Sequence, residues 1–184
     1  VLSAAFCEIE WTRRHKLLLV GCTILMLALQ GVVSLRWGTS LTRYLYPLIT
    51  HLPLWLLLAA ITRHALWPLV SVLTAYLCCQ LRRWAALLVI ALFPAGGTAL
   101  QDATELIVTL PILLVLIRWI APSVRALSRS PLLLQLQFGM IPLLSYLFDY
   151  FTRIYTDLLS SGNQAAVEFM PFVCSLAYLI FVLH

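Results

Sequence analysis

Leu17–Leu35 reads LLLVGCTILMLALQGVVSL, nineteen residues without a charged side chain. At 1.5 Å per residue a helix of that length reaches about 28 Å, close to the ~30 Å hydrocarbon thickness of a bilayer. The stretch also lacks the solvated face that a surface helix of a soluble protein needs. It is a membrane-spanning helix by its own composition.

Outward from it the pattern repeats. The 184 residues are 62% hydrophobic and 10% charged, with a mean hydropathy of +0.98, against about 25% charged in ordinary soluble domains. Six further stretches qualify or nearly qualify as spans: Leu45–Ile61, Ala65–Leu81, Ala85–Leu100, Leu106–Ala121, Leu132–Leu159 and Ala165–Leu183. The expected fold is therefore all-α, a polytopic transmembrane bundle of about seven helices forming one domain over residues 1–184. Six is the alternative, because Pro94, Gly96 and Gly97 interrupt Ala85–Leu100 and allow a break or re-entrant turn there. Residues before Arg13 read as the tail of an earlier helix, and the start at Val1 reads as that of an internal fragment rather than a signal peptide.

The formal net charge of +5 sits in short breaks between apolar stretches, as expected of Lys and Arg that orient helices and not of a nucleic-acid-binding stripe. Three Arg-Trp pairs, Arg36-Trp37, Arg83-Trp84 and Arg118-Trp119, fall on one side if seven segments cross. That side is then the cytoplasm, with seven Lys and Arg against five opposite. With six crossings the N-terminus moves inside and the tally is again seven to five, so the pairing of Arg with Trp is what favours seven.

Polar chemistry concentrates on the sixth segment. Asp149, Arg153 and Asp157 are spaced i, i+4, i+8 and form one charged stripe, with Tyr146 and Tyr150 beside it. Two readings stand: a salt-bridge ladder that solvates the projecting end of an overlong helix, or an extracytoplasmic surface for ligand binding and signal coupling. Ser160-Ser161-Gly162-Asn163 then predicts a tight turn into the last helix, where Glu168 complements the helix dipole or approaches the stripe. A second acidic pair, Asp102 and Glu105, reads either as a solvated loop or as part of an acidic vestibule. Gln30 reads as an interhelical hydrogen-bonding residue, and His51, near Pro53, as a buried hydrogen-bonded group.

Cys7, Cys22, Cys78, Cys79 and Cys174 are odd in number and scattered through apolar runs, so they read as small packing residues rather than disulfides or metal ligands. Cys78-Cys79, near an expected membrane edge, is also a candidate for palmitate. The four histidines show no HExxH pattern, and no phosphate loop, nucleophile elbow or paired-carboxylate motif occurs. No catalytic residue, metal site or cofactor is assigned to this chain.

The run Ile141-Pro142-Leu143-Leu144-Ser145-Tyr146-Leu147-Phe148-Asp149-Tyr150, then Tyr155 to Asn163 and Val167-Glu168-Phe169-Met170-Pro171-Phe172, resembles the membrane sensor region of bacterial GHKL-class sensor histidine kinases. Tyr76-Leu77-Cys78-Cys79-Gln80-Leu81-Arg82-Arg83-Trp84 is similar to the earlier part of that region. The resemblance implies a polytopic sensor in the bacterial cell membrane, of the kind that includes quorum-sensing pheromone receptors. It further implies a homodimer, a cytoplasmic kinase domain holding ATP and Mg beyond His184, a downstream response regulator, and an extracytoplasmic ligand, with peptides among the candidates. On that reading Tyr146, Asp149, Tyr150, Arg153, Asp157, Glu168, Asp102 and Glu105 are the candidates for ligand or signal coupling. The rival expectation is a small transporter or channel-like bundle, motivated by the broken segment at Pro94-Gly96-Gly97.

Overall fold

A computed structural model describes residues 1–92, 97–155 and 164–183. In chain order the helices are α1 (Leu2–Phe6), α2 (Arg13–Tyr46), α3 (Leu52–Thr62), α4 (Leu66–Leu92), α5 (Gly97–Val115), α6 (Ala121–Ser128), α7 (Leu132–Tyr155) and α8 (Gln164–Leu183). Wider π-helical turns, Pro47–His51 and Leu116–Ile120, lead into α3 and α6. Among the described residues there is no strand, and seven helices are eight residues or longer. Among the described residues, five segments are long and apolar enough to cross a membrane: Arg13–Thr39, Tyr44–Thr62, Leu66–Val89, Asp102–Ser128 and Leu132–Phe151. The chain is a polytopic helical bundle, as its composition requires.

Local chemistry accounts for the boundaries. Thr12 caps α2, its side chain accepting from the His15 backbone N–H at 3.3 Å. Gly38 breaks α2 internally at φ 83° and ψ 169°, a conformation that a side chain would strain. Arg63, left-handed at φ 57°, ends α3. Both π-helical turns stop two residues short of a proline, Pro53 and Pro122. A proline ring clashes with the carbonyl four residues back and has no N–H to bond it. Widening the turn relieves that clash, and the residue before each proline, Leu52 or Ala121, donates instead five residues back, to Pro47 O or Leu116 O.

The membership of the spans differs from the expectation. Ala65–Leu81 and the first half of Ala85–Leu100 are one helix, α4, which runs unbroken through Arg82-Arg83-Trp84. No helix breaker lies in that sequence, and Trp84 packs against Phe172 of α8, ring centroids 4.6 Å apart, instead of marking a membrane edge. The three Arg-Trp pairs therefore do not share one side, which removes the reason for preferring seven crossings. The interruption centred on Pro94 and Gly96, and the Ser160–Asn163 turn, lie outside the described residues.

α4 is the central helix, in contact with α1, α3, α5, α7 and α8. Its N-terminal half packs into the main apolar core with α1, α6 and the Leu116–Ile120 turn, through Trp67, Val70, Phe6, Leu116, Ile120 and Val124. Two polar groups inside this core bond to backbone carbonyls: Trp67 Nε1 donates to Phe6 O at 3.1 Å and Arg125 Nε to Ala5 O at 2.7 Å. At its edge Arg129 meets Glu8 at 3.0 Å, an exposed pair worth little. On α8, Tyr178 OH and Thr74 Oγ1 are 3.1 Å apart, and Ser175 Oγ lies 2.7 Å from Leu77 O. α7 packs tightly on α4 at Gly139, where a Cβ would stand 2.8 Å from Val70 Cγ2.

Cys7 and Cys78 belong to the core. Cys78 is only 1% exposed, which removes it as a palmitate acceptor. Burial pushes the Cys7 thiol up to about 11, with a hydrogen bond to Ser71 acting in the opposite direction. A variant retaining Cys7 as its sole thiol is therefore expected to resist maleimide at pH 8 while folded and to react fully in denaturant. Rapid labelling of the folded protein would contradict the burial of α1.

Candidate functional site

Phe6, Glu8, the start of α4 and the end of α6 gather at one end of the bundle. Residues 72–83 in the middle of α4, the second half of α2, the start of α3, the second half of α7 and Val1, Leu2 and Ser3 surround a cavity of about 780 Å³. That volume is in the range of small-molecule sites.

One wall of the cavity is aromatic. The widened turn at Pro47–His51 brings the His51 ring into edge-on contact with Tyr46, Tyr76 and Tyr146, at centroid distances of 5.2, 5.3 and 5.1 Å. Tyr76 and Tyr146 also meet edge-to-face at 4.9 Å, and Tyr150 stacks on Tyr146 at 6.3 Å. Edge-to-face geometry sets the positive ring edge against the negative face, worth about 0.5–1.5 kcal/mol per pair beyond area burial. Tyr146 OH lies 3.3 Å from His51 Nδ1, and Tyr150 OH donates to Tyr44 O at 2.8 Å. Asp149, only 1% exposed, accepts a hydrogen bond from the Tyr76 hydroxyl and so ties α7 to α4.

The rest of the lining includes a polar and basic set, Gln80, Arg82 and Arg83 of α4 with Gln30 and Thr42 of α2. Gln80 is 3% exposed, yet its Oε1 has no hydrogen-bond partner, and the buried Arg82 Nε has none either. A groove of about 500 Å³ lies between the two arms of α2 around Gly38, lined by Leu27, Gly31, Ser34 and Thr39, and it shares Gln30 and Thr42 with the cavity.

Of the residues singled out in the sequence, Tyr146, Asp149 and Tyr150 all line this cavity. Asp149 is not a solvated ladder charge: it faces α4 and is buried. Arg153 is on α7, four residues on, and Glu168 is on α8, but neither side chain lies within the described set, and Asp157 falls outside the described residues altogether. Asp102 and Glu105 do not reach the cavity; Asp102 is exposed near the start of α5. The vestibule is therefore not acidic at this pair. His51 is a hydrogen-bonding group, as read from its place beside Pro53, but half-buried and not fully enclosed. Gln30, read as an interhelical bonding residue, lines the cavity and the groove.

Tyr76, Gln80 and Arg83 were not singled out individually. Their spacing i, i+4, i+7 marks one face of α4 and is the signal that could have found them. No protein-family model matches the chain, and neither the curated proteins nor the solved structures give a match.

Proposed function

We propose that this chain is the membrane-embedded sensor domain of a bacterial histidine kinase, with the cavity as its signal-receiving site. The observation that carries the proposal is the Tyr76–Asp149 hydrogen bond. It places a buried carboxylate of the run Ile141–Phe172, where the resemblance to GHKL-class sensors is sharpest, in the wall of a small-molecule-sized cavity. An ionisable group held at membrane depth is costly and tends to mark function.

On this reading α8 completes six crossings of the bacterial plasma membrane. The end carrying Arg13, Arg14, Lys16, Arg63, Arg118, Arg125 and Arg129 is cytoplasmic by the positive-inside rule. The cavity then lies towards the outer face, and α8 returns to the cytoplasm, where it can act on a kinase domain. A ligand that prefers one arrangement of α7 against α4 shifts the equilibrium between two output states; a ligand with equal affinity for both shifts nothing.

The test is autophosphorylation of the intact gene product in native membrane vesicles with labelled ATP. Asp149→Asn and Tyr76→Phe, which weaken the α4–α7 contact, are expected to change basal phosphorylation at least threefold. Leu144→Ala, on an exposed face of α7, should leave it within twofold. Absence of an ATP-binding domain after His184, or unchanged phosphorylation in both cavity variants, overturns the sensor reading. Uptake of solute into vesicles in place of kinase output would favour a transporter.

A further inference from the structure

The foot of α2 carries charge that the cavity does not use. Arg13, Arg14 and Lys16 lie in its first four residues, all three exposed, and among the described residues none of them makes an ion pair. Nearby acids do not neutralise them. Glu8 is engaged by Arg129 at 3.0 Å, and Glu10 meets the His15 ring through its backbone carbonyl, at 2.8 Å, and not through its carboxylate. The first turn holds no acid, and cations there oppose the helix dipole, so this set does not serve the helix that carries it. Trp11, half-exposed, adds the amphipathic ring that favours the headgroup level.

The same helix continues directly into lipid. None of its spanning window is buried in the bundle. Arg13, Leu17, Val20 and Ile24, spaced i, i+4, i+7 and i+11, share one face, and the three apolar members are 73%, 56% and 62% exposed. From Arg13 to Ile24 this face runs about 16 Å, close to one leaflet of a ~30 Å hydrocarbon core. A soluble anion would match only the charged foot, and an acidic soluble protein would leave the apolar track uncovered. A second copy packed there in parallel would bring three more cations to the same place. A molecule with an anionic head and a hydrocarbon tail matches both parts.

From this arrangement we infer that the foot of α2 binds an anionic phospholipid of the adjoining leaflet. Arg13, Arg14 and Lys16 hold its phosphate, and an acyl chain lies along Leu17, Val20 and Ile24. The inference stands apart from the sensor reading, since it needs neither the cavity nor a kinase. On the orientation proposed for the bundle, that leaflet is the cytoplasmic one, whose anionic lipids attract basic segments at the membrane surface.

The test uses the complete gene product, including any residues encoded before Val1, purified in detergent and mixed with equimolar dioleoylphosphatidylglycerol and dioleoylphosphatidylcholine. Native mass spectrometry counts the lipids retained. Phosphatidylglycerol should be held at least fivefold over phosphatidylcholine. Arg13→Gln/Arg14→Gln/Lys16→Gln should bring that preference below twofold. Arg36→Gln/Arg63→Gln/Arg118→Gln, which removes the same charge from three other exposed positions, should leave it near the parent's. Melting temperatures check that both variants fold. Where the first does not, Arg13→Gln/Lys16→Gln takes its place with a smaller loss, and Arg13→Lys/Arg14→Lys, which keeps the charge, should retain the preference.

No retained lipid, or equal retention of the two, overturns the inference. An equal loss in both triple variants does the same, because it assigns the preference to net charge and not to the foot of α2. Displacement of the lipid by excess sn-glycerol 3-phosphate, which has the phosphate and no tail, would show that the apolar track plays no part and overturn the lipid as occupant.

Discussion

Replacing Gly139 by leucine is expected to destabilise the bundle by about 1–3 kcal/mol or more, the usual cost of overpacking a tight contact. A Cβ at this position meets Val70 Cγ2 at 2.8 Å, closer than real Cβ atoms come to their neighbours. Val70 is 3% exposed and sits in the main core, and its branched side chain has little rotamer freedom with which to retreat. α7 must therefore move away from α4. Thermal unfolding in nanodiscs gives the readout, with Gly139→Ala expected to lie between the parent and the leucine variant. Val70→Ala should recover part of the loss in combination with Gly139→Ala, because it removes the colliding methyl. Parent-like melting of the leucine variant would mean that α4 and α7 are not in close contact there.

The second large effect is expected at Asp149. Truncation to alanine removes a buried acceptor, strands the Tyr76 hydroxyl and opens space beside the aromatic wall. Leaving a buried hydrogen-bonding group without its partner costs about 1–3 kcal/mol, and the space left by the lost side chain adds to that. Asp149→Asn keeps an acceptor for Tyr76 and should lose much less. The difference between the two variants, measured by unfolding, separates the hydrogen bond from the charge. If alanine and asparagine destabilise equally, the contact to Tyr76 is not what holds α7 in place. Tyr76→Phe then provides the check from the other side, since it leaves the carboxylate and removes only the hydroxyl.

The helical membrane architecture was fully legible in the sequence, because apolar length alone decides it. What composition could not show was the continuity of α4. Arg82-Arg83-Trp84 has the chemistry of a membrane edge, but the same residues line a cavity and pack on α8 when the bundle supplies Phe172 and an internal polar space. Burial of Asp149 was hidden for a related reason. Spacing along α7 shows which residues share a face, but the group that decides what the face meets, Tyr76, is 73 residues away in the chain. The widened turns before Pro53 and Pro122 were latent in the sequence, since each follows from a proline placed shortly after an apolar helix segment. Tyr146, Asp149 and Tyr150 were found from local polarity, whereas Gln80 and Arg82 needed the three-dimensional lining to stand out.

The central place of α4 also bears on biogenesis. α1 and α3, which precede it, and α5, α7 and α8, which follow it, all contact this one helix. During synthesis each later hydrophobic segment thus leaves the translocon with its docking partner already in the bilayer. Assembly can proceed in the order of translation, one helix at a time, without waiting for a distant segment. A change that delayed the insertion of α4 would leave three newly made helices without a partner together, and quality-control proteolysis would register the error.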